Sequence, residues 1–238
     1  MHKIKTIEVP YYDGKERLLA YAAYQDDGQY KPAVLVAHTW AGRDQFVKHK
    51  AELLAQKGYV GFAIDVFGEA HCGSGPDENA KLIEPFKKNR AGLKKRLLAA
   101  FAAVKALPFV DHKRIAAVGY CFGGLCVLDL LRSGAEVAGV VSVHGLLGQP
   151  DLPKNKTHGK ALILHGHDDP MVPPEQILAC QAELTEAKVD WQFHIYGHTS
   201  HAFTNPHAND PKLGTMYNKT ADQRAKIAID NFLAEIFG

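Results

Sequence analysis

Paired cysteines, long apolar runs and a one-sided charge are all missing from this 238-residue sequence. Its four cysteines, Cys72, Cys121, Cys126 and Cys180, form no CxxC pair and no framework spacing. That excludes a disulfide-stapled scaffold and suits a reducing cytosol, where thiols stay free and one can be catalytic. No apolar stretch approaches the roughly 20 residues needed to span a bilayer, so no membrane association is expected. Met1-His2-Lys3-Ile4-Lys5 runs straight into a strand-like pattern without the apolar core of a secretory signal. A cytoplasmic location follows as an expectation, and the NKT sequons at Asn155 and Asn218 would carry no glycan there. Lys and Arg total 28 against 26 Asp and Glu, a formal charge of +2 that gives no reason to expect nucleic acid. The densest basic run, Lys87, Lys88, Arg90, Lys94, Lys95 and Arg96, has no interleaved aromatic residues. At helical spacing it reads as a solvated face.

What is present is average for a globular protein: 46% hydrophobic and 23% charged residues. The chain can bury a sizeable core unaided, and no repeat, low-complexity tract or linker divides it, so residues 1–238 are expected to form one domain. Ile4 to Val9 and Arg17 to Tyr24 flank Asp13-Gly14 as an N-terminal hairpin. Apolar strand-like runs at 33–38, 60–66, 114–119, 137–143, 161–166 and 190–196 then alternate with helical patterns at 45–57, 122–133, 174–187 and 220–237. A further helix is expected from Pro85 to about Leu107, after a long loop at 67–80 (FGEAHCGSGPDENA). Another loop of about twenty residues follows the last strand. Continuous apolar strands alternating with helices predict a mostly parallel sheet covered on both faces.

The chemistry starts at VGYCFGGLC, residues 118–126, where Cys121 lies between Gly119 and Gly123. Strand, then Gly-x-nucleophile-x-Gly, then helix is the pattern of a nucleophile elbow, here with cysteine in serine's place. At that turn the side chain projects above the carboxyl edge of the sheet, and the helix N-terminus favours a thiolate. Cys126, five residues on, falls on the interior pattern of the helix and reads as packing. A nucleophile needs a base, and the base needs an orienting acid. HGHDDPMVP (165–173) offers Asp168 and Asp169 after one strand, and GHTSHAF (197–203) offers His198 and His201 after the next. Both segments fall on the same sheet edge as the elbow, where open α/β sheets carry their sites.

GYCFGG, DPMVP after an HG turn, HAF, HTWAGRD and KGYVGFAIDVFGE, in this order and separation, resemble the dienelactone hydrolase family. The resemblance covers nearly the whole chain. It implies an α/β-hydrolase fold, with a mostly parallel sheet of about eight strands, helices on both faces and an N-terminal antiparallel hairpin. It also implies a Cys-His-Asp triad. Cys121 matches the nucleophile, Asp169 the acid three residues before Val172-Pro173, and His201 the histidine of H-[AS]-F. The matching oxyanion-hole amides are those of Phe122 and Trp40. Two departures stand out. The position of an activating glutamate in the family's third-strand loop is held by Thr39, and Ala202 to Asn205 lack the arginine that holds a substrate carboxylate. Arg90 or Lys87 could supply another cation, and His144 could line the pocket.

Asp168 is then a turn residue and His198 a loop residue. A rival reading takes His165, His167, Asp168 and Asp169 as ligands of a catalytic metal; another takes the fold as a non-catalytic or redox-sensing protein built around an oxidisable Cys121. The favoured expectation is a cofactor-free hydrolase of small-molecule carboxylic esters or lactones that works through a thioester. The oligomeric state is left open by the sequence.

Overall fold

The computed structural model describes residues 3–238; Met1 and His2, where the leader-free reading begins, lie outside the described residues. The hairpin is longer than its apolar runs suggest: β1 (Ile4–Asp13) pairs antiparallel with β2 (Glu16–Gln25) over their full lengths, and Gly14 turns the chain at φ +61°. There follow β3 (Lys31–Ala37), α1 (Gln45–Gln56), β4 (Val60–Ala63), α2 (Pro76–Lys88), α3 (Arg90–Lys105), β5 (Val110–Tyr120), α4 (Phe122–Arg132), β6 (Gly139–Val143) and β7 (Lys160–Gly166). The chain closes with α5 (Pro174–Glu186), β8 (Trp191–Tyr196), a short β9 (Asn209–Asp210) and β10 (Thr215–Met216), and α6 (Lys219–Phe237).

The main sheet has eight strands in the order β1-β2-β4-β3-β5-β6-β7-β8, parallel from β4 onward and antiparallel at β1 and β2. The near-continuous apolar strands are buried on both faces, each face taking alternate residues. Val34, Val36, Ala116, Val118, Leu162 and Leu164 pack under α1 and α6. Ala33, Leu35, Ile115, Ala117, Ala161 and Ile163 pack under α3, α4 and α5.

Three segments differ from the sequence expectation. The strand expected at 60–66 ends at Ala63, because Asp65 turns the chain: its carboxylate accepts from the amides of Leu19, Phe67, Gly68 and Ala70. The helix expected to start after Pro85 starts instead at Pro76, inside the expected loop. Proline suits the first turn of a helix, and Asp77 and Glu78 favour its dipole. Pro85 is carried near the end of α2, and the break comes at Asn89, whose side chain caps α3 by accepting from Gly92 N–H. Finally, the loop after β8 contains the β9–β10 hairpin.

Candidate active site

At the end of β5 the chain reverses through Cys121, at φ +56° and ψ −117°, and enters α4 at Phe122. This left-handed backbone strains any residue with a Cβ. The flanking glycines make it possible. A Cβ on Gly119 would lie 1.9 Å from the Gly123 carbonyl oxygen, and one on Gly123 would lie 2.2 Å from that of Ala37. Cys121 is partly exposed, whereas Cys126 is fully buried in the core beneath. The Cys121 amide donates to the Val143 carbonyl (3.0 Å) and to His144 Nδ1 (3.1 Å).

Asp169 and His201 come from the turns after β7 and β8, and both are buried. His201 Nδ1–H donates to Asp169 Oδ2 at 2.7 Å, while Asp169 Oδ1 accepts from the Met171 amide. The β9–β10 segment holds the histidine from behind: His201 N–H donates to Gly214 and its carbonyl accepts from Met216. His201 Nε2 makes no hydrogen bond; its neighbour and charge partner is the Cys121 thiol.

The titration of the pair follows from this geometry. Burial pushes the Cys121 thiol up, but His201 and the N–H groups of Phe122 and Trp40 directed at the sulfur outweigh it, so the thiol titrates below its ordinary value. Burial likewise disfavours a charged His201. The thiolate and the Asp169 carboxylate more than compensate and raise the imidazole to about 10. The arrangement can hold a thiolate–imidazolium pair beside two free amide donors.

These groups open into a cavity of about 360 Å³ walled by Trp40, Phe46, Ile83, Phe122, Leu146 and Met171. Thr39, His144 and Asn205 also line it and bring neutral polar groups to the wall. Lys87 reaches its rim beside Glu84. Arg90 does not. Contrary to the sequence expectation, it turns toward α4 and forms a two-pronged ion pair with Asp129 at 2.6 Å, sharing with Arg132 a carboxylate that is too deeply buried to be left to water. Asp168 and His198 are exposed turn residues. Phe46, Ile83, Leu146 and Met171 were not singled out by sequence, since scattered apolar residues carry no motif. Neither was His38, whose Nδ1–H donates to the Thr39 carbonyl (2.7 Å) and whose Nε2 accepts from Val66 N–H. That bond fixes the Thr39–Trp40 peptide plane, and with it the direction of the Trp40 amide.

The metal reading finds no ligand set. His165 is buried, His167 and Asp168 are exposed, and Asp169 is committed to His201. Among the described residues no group of three or more His, Cys, Asp or Glu side chains is arranged to hold an ion.

A mostly parallel eight-stranded sheet with an elbow at the end of β5, and with acid and histidine on the next turns of the same edge, defines an α/β hydrolase. The sequence pattern of the Dienelactone hydrolase family matches residues 18–237, and the chain belongs to that family. It is 34% identical over 149 residues to an uncharacterized protein of Caenorhabditis elegans, covering 61% of this chain and 94% of the other. To a carboxymethylenebutenolidase homolog of Xenopus tropicalis it is 21% identical over 192 residues, covering 80% and 77%. The crystal structure of P91, a dienelactone hydrolase-like promiscuous phosphotriesterase from metagenomic libraries, superposes with a TM-score of 0.94 at 32% identity over 99% of each chain. The protein is an enzyme of this family, a hydrolase of esters or lactones acting on small molecules. Among the described residues no helix is long and apolar enough to cross a membrane.

Proposed function

We propose that Cys121 is the nucleophile of a cofactor-independent carboxylic ester or lactone hydrolase, working by thioester catalysis with His201 and Asp169 in the cytosol. The observation that carries this is the convergence on one sulfur of His201 and of the Phe122 and Trp40 amides, inside a single apolar cavity. In this reading the thiolate adds to the substrate carbonyl carbon, and the oxyanion takes over the two amide donors. The tetrahedral intermediate collapses, its C–O bond breaks, and His201 imidazolium protonates the departing alcohol. Neutral His201 then removes a proton from water, which attacks the thioester; the second intermediate expels the thiolate and leaves His201 protonated. Asp169 holds the Nδ1–H tautomer throughout. A thiolate is a better leaving group than an amide nitrogen, so amides return to starting material and esters and lactones go forward.

The cavity favours neutral, apolar acyl and aryl groups. Its walls are mainly aliphatic and aromatic, and besides the His201 imidazolium the lining carries one cation, Lys87, which stands beside Glu84. The close structural likeness to P91 makes a neutral phosphotriester a second candidate substrate for this pocket.

The test is hydrolysis of neutral aryl esters and lactones by wild type, Cys121→Ala, His201→Ala and Asp169→Asn. We expect Cys121→Ala to lose roughly 10⁴–10⁶-fold in kcat, and quenched wild type to show an acyl adduct on Cys121 by mass spectrometry. Undiminished turnover in Cys121→Ala would overturn the proposal.

A further inference from the structure

His144 does more than line the cavity. It follows β6 directly, is 1% exposed, and holds a left-handed backbone at φ +39°, which is unfavourable for histidine and persists only where the surroundings enforce it. Each ring nitrogen is committed to a different piece of the site. Nδ1 accepts from the backbone N–H of Cys121 at 3.1 Å, and Nε2 meets Thr204 Oγ1 at 2.9 Å, in the loop that carries His201. The ring also packs edge-on against His201 and Phe203, with centroids 5.2 Å away in both cases.

An amide can only donate, so Nδ1 must be unprotonated and the proton must sit on Nε2, given to the Thr204 hydroxyl. A doubly protonated ring would set N–H against N–H at the elbow and place a cation beside the His201 imidazolium. Burial discourages protonation most, and His201 from its loop, Lys50 from α1 and the buried His165 of β7 act in the same direction.

We propose that His144 is a positioning residue, a permanently neutral Nε2–H imidazole that ties the nucleophile elbow to the histidine loop through Thr204. By keeping the Cys121 backbone and His201 in one register, and by never carrying charge, it lets His201 keep its proton opposite the thiolate. The Cys121 N–H is shared between Nδ1 and the Val143 carbonyl, which leaves the oxyanion to Phe122 and Trp40. This inference rests on the reading of Cys121 as the nucleophile.

Thr204→Val tests it, because the substitution keeps buried shape and removes only the acceptor for Nε2–H. Thiolate formation is read as iodoacetamide alkylation rate, or 240 nm absorbance, against pH. Neither readout requires turnover, so the result stands apart from the question of which substrate is hydrolysed. In Thr204→Val and His144→Asn (asparagine tolerates the left-handed backbone) the thiolate midpoint should rise by about one pH unit. The kcat for an aryl ester should fall on the order of ten- to a hundredfold with KM little changed. Thr204→Ser, which restores the hydroxyl, should recover the wild-type midpoint. A wild-type thiolate midpoint and kcat in both Thr204→Val and His144→Asn, whatever their melting temperatures, would overturn the proposal. If instead the thiolate midpoint shifts as expected while Cys121→Ala still hydrolyses esters at the wild-type rate, the positioning role holds and the nucleophile assignment fails.

Discussion

Cys121 sits where two opposing influences on a thiol meet. Burial favours the neutral thiol, and the imidazole and amide donors around the sulfur favour the thiolate and win. The same interaction raises His201, so the two groups titrate as one coupled pair. Activity should therefore rise with pH as the pair loses its first proton, at a value below the ordinary thiol pKa of 9.0, and fall again as His201 gives up its proton near 10. A kcat/KM profile against pH checks both limbs; an acidic limb at or above pH 9 would contradict the resting thiolate. Asp169 contributes orientation and charge through its 2.7 Å bond to Nδ1. Asp169→Asn, which offers N–H where a carboxylate accepted, should cost roughly 10²–10⁴-fold in kcat with a smaller effect on KM. The elbow at Cys121 and the order of the two segments that follow it were legible from spacing, whereas the choice of Asp169 over Asp168 and of His201 over His198 came from the family resemblance. Arg90 was misread: its basic neighbours gave no hint that Asp129, 39 positions on, would claim it.

At the scale of elements, the elbow depends on how closely β5, α4 and β3 approach. Adding a methyl at Gly123 would press it against the Ala37 backbone. Gly123→Ala should destabilise the protein by about 1–3 kcal/mol through overpacking, and should reduce activity beyond that because Cys121 and the Phe122 amide move with the turn. Urea denaturation alongside kinetics on the folded fraction separates the two effects. The α2–α3 junction is a milder case. Asn89→Ala removes the cap on Gly92 N–H and should cost about 1 kcal/mol in the same denaturation. Proline explains why this region resisted reading from sequence. Pro85 signals a boundary by its missing N–H, yet it falls near the end of a helix already begun at Pro76, where the remaining turn is short enough to tolerate it. The β9–β10 pair was invisible for another reason: strands of two residues have no periodicity to detect.

Across the whole molecule, one buried ion network fastens the helical layer on the α3–α4–α5 side. Asp129 on α4 takes Arg90 from α3 and Arg132 from its own helix, and Arg132 reaches Glu183 on α5. Both arginines also donate to the Gly148 carbonyl, which pins the chain after β6. Asp129→Ala would leave Arg90 buried without its carboxylate and should lower stability by about 3 kcal/mol. The measurement is the urea midpoint, with an unchanged slope showing that the transition remains comparable.

The amino-acid sequence by itself determined the alternation of strands and helices, the elbow at Cys121 and the order in which the segments carrying Asp168-Asp169 and His198 to His201 follow it. Those are matters of periodicity, turn chemistry and spacing, which act over a few residues or along the chain. Only the tertiary structure decided that α2 supplies a wall of the cavity, that Arg90 turns away from it, and that His38 and His144 fix the Trp40 peptide and the Cys121 amide. Each of these depends on which buried polar group finds a partner across the fold, and a desolvated donor or charge is satisfied by whatever the packing brings within about 3 Å.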